Sequence, residues 1–171
     1  MVSMIPCSTP YDMKHMYNFS NKRNKTLNYP TNSLMGLINT HSDFTIFSKM
    51  IKKANYDIKF SSQQANFTLF VPSDISLKKK YTPEFLDNID RGMATQILNY
   101  SMMIRELDQK LLQASPFGTY PTLDRSNNIK ITTTYGKTVL KDNVNVIHFN
   151  YKASNGLIHV TDDFLMPKQI I

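Results

Sequence analysis

The residue types that could support catalysis are present in this 171-residue chain, but they are scattered along it. The histidines are His15, His41, His148 and His159. None of them has a second candidate ligand at the spacing that zinc sites use, so we predict no metal site. Asp162 and Asp163 are adjacent, and neighbouring residues of a strand point to opposite faces. This pair therefore does not predict two cooperating catalytic carboxylates.

The nucleophilic side chains also lack the neighbours that would activate them. Ser73 is not set in a nucleophile elbow, and Cys7 has no activating histidine nearby. The five glycines form no phosphate-binding loop, and a single cysteine cannot form an intrachain disulfide. We therefore predict that the protein is not an enzyme and holds no cofactor.

Positive charge is the sharper signal, because the chain has 20 Lys and Arg residues against 13 Asp and Glu residues. The densest run is Lys78, Lys79 and Lys80. Such a run is either a solvated loop or a contact for acidic protein, anionic lipid or nucleic acid. No motif that reads a nucleic-acid groove accompanies it, so nucleic acid is not the partner we expect.

Residues 1–30 differ in composition from the rest of the chain and predict an extended N-terminal arm. They show no helical or strand periodicity, and four basic residues against one acidic residue give them a net charge of +3. A solvated linker would normally lack their many aromatic residues. The segment is either a loose leader or an arm that packs onto its own domain or onto a neighbour. The partner-binding candidates are Tyr11, Tyr17, Phe19, Arg23, Tyr29, Lys78, Lys79 and Lys80.

Helical patterns around one early strand must position these residues in the first part of the chain. Apolar residues at helical spacing predict a helix at 31–40 and a second one, capped by Ser42 or Asp43, to about residue 54. A strand that ends at Pro72 follows, and Ser73 or Asp74 can cap the short helical turn after it. Further helices are predicted to begin near residue 83 and, capped at residue 90, to run to about residue 103.

After residue 103 the periodicity changes to two, which predicts strands. Residues 107–112 are interpreted as a short strand or turn, and three alternating segments follow between residues 129 and 148, with His148 on the same face as Val146. Asn155 and Gly156 then predict a tight turn into a buried final strand. His159 within that strand is predicted to be a core histidine that bridges backbone groups. Helices followed by strands predict an α+β fold with a mostly antiparallel sheet or sandwich.

Two segments resemble the two signature boxes of the fasciclin-like domain family. They read Thr68-Leu69-Phe70-Val71-Pro72-Ser73-Asp74, and Ser154-Asn155-Gly156-Leu157-Ile158-His159-Val160 followed by Leu165-Met166-Pro167. The resemblance covers about residues 31–169, and both boxes in this order make it specific. It implies a compact β-sandwich or wedge with flanking helices, non-enzymatic, used in cell adhesion and protein–protein contacts. The structural motif residues are Thr68, Pro72, Asp74, Asn155, Gly156, His159 and Pro167.

The chain departs from the family pattern at the end of the central helix. Family members commonly carry a Tyr-His pair there, which is linked in extracellular members to integrin adhesion. The matching residues in this chain are Tyr100 and Ser101. The resemblance therefore does not carry integrin adhesion over to this chain.

The leading hypothesis is one fasciclin-like module at 31–171 that the arm at 1–30 docks into a larger assembly, for example as a minor capsid protein of a large DNA virus. The N-terminal residues show no secretory signal, and no segment approaches the roughly 18 to 20 apolar residues of a spanning helix. We therefore expect no membrane span and an intracellular or virion-associated protein. The alternatives are an exported cell-adhesion domain and a weak binder of anionic surfaces or nucleic acid.

Overall fold

The computed structural model describes residues 29–63, 66–141 and 143–167, which form an α+β fold. The α-helices among them are α1 Leu34–Thr40, α2 Thr45–Lys53, α3 Asp74–Lys80, α4 Pro83–Asp87, α5 Arg91–Tyr100 and α6 Gln109–Ala114. The strands are β1 Phe67–Pro72, β2 Met102–Met103, β3 Phe117–Tyr120, β4 Ile129–Thr134, β5 Lys137–Leu140, β6 Val144–Ala153 and β7 Gly156–Thr161. A short 3₁₀ helix, Lys59–Ser61, precedes β1.

The strands of the described residues form one mixed sheet in the order β2-β1-β7-β6-β5-β4-β3. Strands β1 and β7 are parallel, with Phe67 opposite Gly156 and Pro72 opposite Thr161, and the other pairs are antiparallel. The predicted buried final strand is confirmed, because β7 lies between β1 and β6 and all six of its residues are buried. The two signature boxes are therefore hydrogen-bonded neighbours in the sheet.

Two hydrophobic clusters lie on opposite faces of the central strands. Phe67, Leu69 and Val71 of β1 belong to the cluster that the helices cover, whereas Phe70 belongs to the second cluster. The second cluster takes half of its ten other members from β4, β5 and β6 and the rest from α5, β2, α6 and the connecting segments. Burial on both faces explains why β1 is apolar at every position except Thr68. Each fully buried large apolar side chain in such a strand contributes about 1.5 to 3 kcal/mol.

Helices α2 and α3 cap each other at their N-termini. The Asp74 carboxylate accepts hydrogen bonds from the backbone N–H groups of Thr45 and Ile46, both at 2.9 Å, and from the Thr45 hydroxyl. In return, Asp43 accepts from the N–H of Ile75 through its side chain, at 3.1 Å. Ser73 caps α3 itself by accepting from Ser76 N at 3.2 Å. The second helix was predicted to be capped by Ser42 or Asp43; its cap comes instead from Asp74, 29 residues further along.

Replacing Asp74 by alanine is expected to lower the free energy of unfolding by about 3 kcal/mol, because three donors lose a charged and buried acceptor. Asp108 offers a matched control, since it caps α6 through one exposed bond to Leu111 N at 2.8 Å. We expect Asp108→Ala to cost only about 1 kcal/mol. Urea denaturation of both variants measures the difference, and equal losses would contradict the role given to Asp74.

Three predictions about the elements are wrong. The helix capped at Asp90 ends at Tyr100 and not near residue 103, because Met102 and Met103 pair with β1. Residues 107–112 are not a strand or turn, since most of them belong to the cap and helix of α6. The strict alternation that placed His148 beside Val146 fails because β6 is irregular at two places, and His148 is exposed there.

Candidate interaction surface

Asn155 joins three parts of the chain where the second signature box begins. Its side-chain oxygen accepts from Leu34 N at 2.8 Å, and its amide donates to the carbonyls of Phe60 at 2.9 Å and Ser62 at 2.8 Å. The side chain is 1% exposed. The residue that follows, Gly156, lies directly against the backbone of Phe67. The Asn-Gly turn is thus a structural junction and not a surface site.

Thr68 and His159 fix the segment between β2 and α6 to the sheet. The Thr68 hydroxyl donates to Arg105 O at 2.6 Å and accepts from Leu107 N at 2.9 Å. His159 is fully buried; its Nε2 lies 2.6 Å from Leu107 O, and its Nδ1 accepts from Asn150 N at 3.1 Å. A carbonyl can only accept, so Nε2 carries the proton and the ring is neutral. His159 therefore bridges backbone groups, as the sequence suggested.

Protonation of His159 is expected to destabilise the domain at acidic pH. Burial lowers the pKa of His159 below 6.5 and outweighs the opposing effects of its bond to Leu107 and of nearby Asp108. Protonating Nδ1 would also break the bond from Asn150 N. Below pH about 6.5 the unfolded chain binds a proton at this histidine more readily than the folded chain does. The free energy of unfolding therefore decreases as the pH is lowered, by up to about 1.4 kcal/mol per pH unit.

This pH dependence can be measured by urea unfolding between about pH 5 and 8 and by NMR titration of the His159 ring. We expect the NMR titration of the His159 ring to have its midpoint below pH 6.5. The free energy of unfolding of the His159→Gln variant should decrease less at acidic pH than that of the native protein. A midpoint at or above 6.5 in the native protein would contradict the assignment.

The remaining motif residues also lie inside the domain. Pro72 ends β1 and is buried, and Pro167 is buried at the end of the described chain. At the end of α5, Ser101 is 1% exposed and donates to Ile97 O at 2.7 Å. The position where family members commonly carry histidine is therefore filled here by an inward-facing hydroxyl.

The partner-binding candidates fall into three groups. Tyr11, Tyr17, Phe19 and Arg23 lie outside the described residues. Tyr29 is described and is used by its own domain, because its hydroxyl donates to Asp57 at 2.9 Å and its ring packs on the main core. The three lysines form the last turn of α3, all exposed, and Lys80 pairs with Asp163 at 3.3 Å.

A groove that the sequence did not predict lies between the α1–α2 connection, the start of α3 and the irregular part of β6. We call it the aromatic groove; it has a volume of about 300 Å³. It is lined by His41, Asp43, Phe44, Ser73, Ile75, Ser76, Ile147, His148, Tyr151 and Val160. Exposed fractions of 62%, 45% and 41% at Ile75, Ile147 and Tyr151 leave a sizeable apolar surface in contact with water.

The aromatic rings of this groove support one another. The rings of His41 and Phe44 stack with centroids 4.1 Å apart, and Tyr151 meets both of them edge-on at 6.0 Å and 6.3 Å. The Nδ1 atom of His41 accepts from Asp43 N at 3.0 Å, which holds the ring in place. The groove is therefore a pre-formed apolar surface, which is the form that binding surfaces commonly take.

The only sequence signal for this groove was the apolar Ile147 beside Val146 in an otherwise alternating strand. The two irregularities of β6 turn Ile147, His148 and Tyr151 outward together, and bulges of this kind cannot be recognised from a single sequence. Within the residues that the structure describes, no group of three or more His, Cys, Asp or Glu side chains could hold a metal ion. The described helices are also too short or too polar to cross a membrane.

A mixed sheet whose parallel β1–β7 pair carries both signature boxes, flanked by helices, defines an α+β FAS1-type module. The family profile of the fasciclin domain matches residues 42–167, most of the chain. The chain therefore belongs to the fasciclin domain family, whose members are generally non-catalytic modules of adhesion and protein interaction.

Two proteins illustrate what the chain is similar to. Stabilin-2 of Mus musculus is 28% identical over 105 residues, which cover 61% of this chain and 4% of that protein. The solved FAS1 domain pair from the insect cell adhesion molecule Fasciclin I has the same fold, with a TM-score of 0.69 and 24% identity. That match covers 82% of this chain and 52% of the domain pair. This chain thus spans a small fraction of one relative and about half of the other.

Proposed function

We propose that this protein is a non-catalytic interaction module that is docked by its N-terminal arm into a larger assembly, as a minor capsid protein of a large DNA virus would be. The proposal places it inside the cell or in a virus particle. The family supports the general function of protein binding. The basic and aromatic composition of residues 1–30 supports the arm as one contact.

The observation that carries the protein-binding function is the aromatic groove, a second contact beside the arm. Ile75, Ile147 and Tyr151 are three of the eight exposed large apolar side chains among the described residues, and all three line this one groove. Exposed apolar side chains that are scattered singly need no explanation, but a cluster on a rigid aromatic wall indicates a surface that a partner covers. Desolvated apolar and aromatic side chains of this kind contribute much of the affinity of protein interfaces.

Co-purification of the assembly with three forms of the chain tests the proposal. The forms are the full chain, a deletion of residues 2–28, and Ile75→Ser combined with Ile147→Ser. The deletion stops before Tyr29, because Tyr29 packs on the folded domain. We expect the deletion and the double variant each to reduce recovery of the assembly by about tenfold or more.

The control combines Ile58→Ser with Ile104→Ser. These isoleucines are 65% and 67% exposed and do not line the aromatic groove, so the change in polarity is matched. Recovery should remain at the level of the full chain in this control. Equal recovery with all forms would overturn the proposal, and thermal unfolding of each variant shows that the domain is still folded.

An exported cell-adhesion domain is the second candidate, favoured by the similarity to proteins of that kind. Export would expose the chain to N-glycosylation at its Asn-X-Ser/Thr positions, which include Asn66 and Asn99. Asn66 is exposed, whereas the Asn99 side chain accepts from Tyr56 at 2.7 Å. Exported protein should therefore carry a glycan at Asn66 first, and unmodified Asn66 in protein from the native source would count against export.

A further inference from the structure

A second groove runs between α2 and the segment from α3 to α4, and it shares no lining residue with the aromatic groove. It consists of two adjoining hollows of about 470 Å³ and about 320 Å³. Both hollows are lined by Ile46, Lys49, Leu86 and Asp87. The apolar floor continues with Met50, Ile89, Tyr81 and Pro83. We call this surface the lysine groove.

Lysines from two different helices surround this apolar floor. Lys49, Lys52 and Lys53 come from α2 and Lys78 comes from α3, and all four are exposed. Lys53 donates to Ile89 O at 2.5 Å, but the described residues offer no ion-pair partner to Lys49, Lys52 or Lys78. Asp87 is the acidic residue among those lining the hollows. Four positive charges against one negative charge give the groove a net positive potential.

Hydrogen bonds, an ion pair and a ring contact hold the walls of this groove in place. At the C-terminal end of α3, Lys80 and Tyr81 are both held by Asp163, through an ion pair at 3.3 Å and a hydroxyl bond at 2.7 Å. The ring of Tyr81 stacks on Phe85 with centroids 4.9 Å apart. At the N-terminus of α2, Asp74 fixes Thr45 and Ile46. Both walls of the groove are thus fixed to the core of the domain.

Charge decides which kind of occupant fits. The chain's own residues 1–30 carry a net charge of +3 and the whole chain carries +7, so like charges oppose both the arm and a second copy. A flat, uniformly basic surface would suit a polyanion such as nucleic acid. Two apolar hollows that meet at Lys49 instead match apolar side chains on either side of a carboxylate.

We propose that the lysine groove binds an acidic segment of a partner protein, with one apolar side chain in each hollow and a carboxylate at Lys49. Lys52 and Lys78 attract further acidic residues at the two ends. The inference goes beyond the proposed function, because it names the chemistry of a partner and a surface separate from the aromatic groove. It also gives Lys78 a role that the run of three lysines in the sequence could only suggest.

Fluorescence anisotropy with labelled synthetic peptides tests the proposal on the full-length protein. The probe is a helix-forming peptide with leucines along one face and glutamates beside them. One control peptide has lysines in place of the glutamates, and another has serines in place of the leucines. We expect the acidic, leucine-containing peptide to bind at least about tenfold more tightly than either control, and its affinity to fall severalfold between about 50 mM and 300 mM salt.

Protein variants then locate the binding site. Lys49→Glu combined with Lys78→Glu should weaken binding of the acidic peptide by about tenfold or more. The matched control is Lys110→Glu with Lys137→Glu, which changes the net charge equally at exposed lysines elsewhere and should have little effect. Asp87→Asn should tighten binding severalfold, because it removes a carboxylate from the groove.

Several results would overturn the proposal. They are no binding of the acidic peptide, equal binding of the lysine peptide, and equal weakening by both lysine pairs. Vesicles containing phosphatidylserine and a single-stranded oligonucleotide serve as further probes. Binding of either that depends on Lys49 and Lys78, without peptide binding, would replace the acidic-protein partner with lipid or nucleic acid. The Ile75→Ser, Ile147→Ser variant should still bind the peptide, so failure of the proposed function is distinguishable from failure here.

Discussion

Asn155→Ala is expected to lower the free energy of unfolding by about 4 kcal/mol. The asparagine side chain is 1% exposed and makes three bonds of 2.8 to 2.9 Å to Leu34 N, Phe60 O and Ser62 O. Alanine leaves the N–H of Leu34, at the start of α1, without its acceptor. It also removes the amide donor from the carbonyls of Phe60 and Ser62, which precede β1. Each unsatisfied buried group costs about 1 to 3 kcal/mol, which is why the total is large for one side chain.

The destabilisation by Asn155→Ala should be concentrated in the segments that Asn155 joins, whereas a general loss of packing would affect the whole domain. Hydrogen exchange should increase most in α1 and around Phe60, since these segments are joined to β7 through Asn155. Asn88→Ala, at an exposed asparagine after α4, should change stability by less than about 0.5 kcal/mol. Urea denaturation gives the two energies, and a loss below about 1 kcal/mol for Asn155→Ala would contradict the junction described for it.

The sequence was sufficient to predict the central strands, because their signals are local. Phe67, Leu69 and Val71 alternate toward one core, and an Asn-Gly turn enters a strand with no room for a solvent face. The capping of α2 could not be predicted in the same way. Its acceptor, Asp74, is 29 residues distant, and only the tertiary fold brings the two N-termini together. Local reasoning assigned Asp74 to the helix in which it lies.

The candidate surfaces show the same division between local and long-range information. The lysines at 78–80 were visible as a run, but the position of Lys78 across an apolar groove from Lys49 depends on the packing of α3 and α4 against α2. The aromatic groove depends on two irregularities of β6, which break the period of two on which the strand prediction rested. In contrast, the motif residues that the resemblance identified are buried structural residues, on β1 and β7 or close to the ends of these strands.

Gly156→Ala is expected to lower the free energy of unfolding by at least about 4 kcal/mol. A Cβ atom at this position would lie 2.1 Å from the carbonyl oxygen of Phe67 and 3.1 Å from Cδ1 of Leu34. Gly156 also has φ +158° and pairs with both Phe67 on β1 and Ala153 on β6. Since the nearest obstacle is backbone, no rotation of a side chain relieves the contact, and the start of the parallel β1–β7 pair must separate.

Gly92→Ala is the matched control, because it adds the same methyl group where the structure has room for it. The nearest atom to a Cβ there is Oδ1 of Asp90, at 3.5 Å, and Gly92 lies exposed in the first turn of α5. Alanine favours a helix over glycine, so this variant should gain up to about 1 kcal/mol of stability. If the added methyl group lowers the free energy of unfolding in Gly156→Ala but raises it in Gly92→Ala, the close approach of the two strands is what requires glycine at position 156. A stability of Gly156→Ala equal to that of the native chain would instead mean that β1 and β7 do not meet at this register.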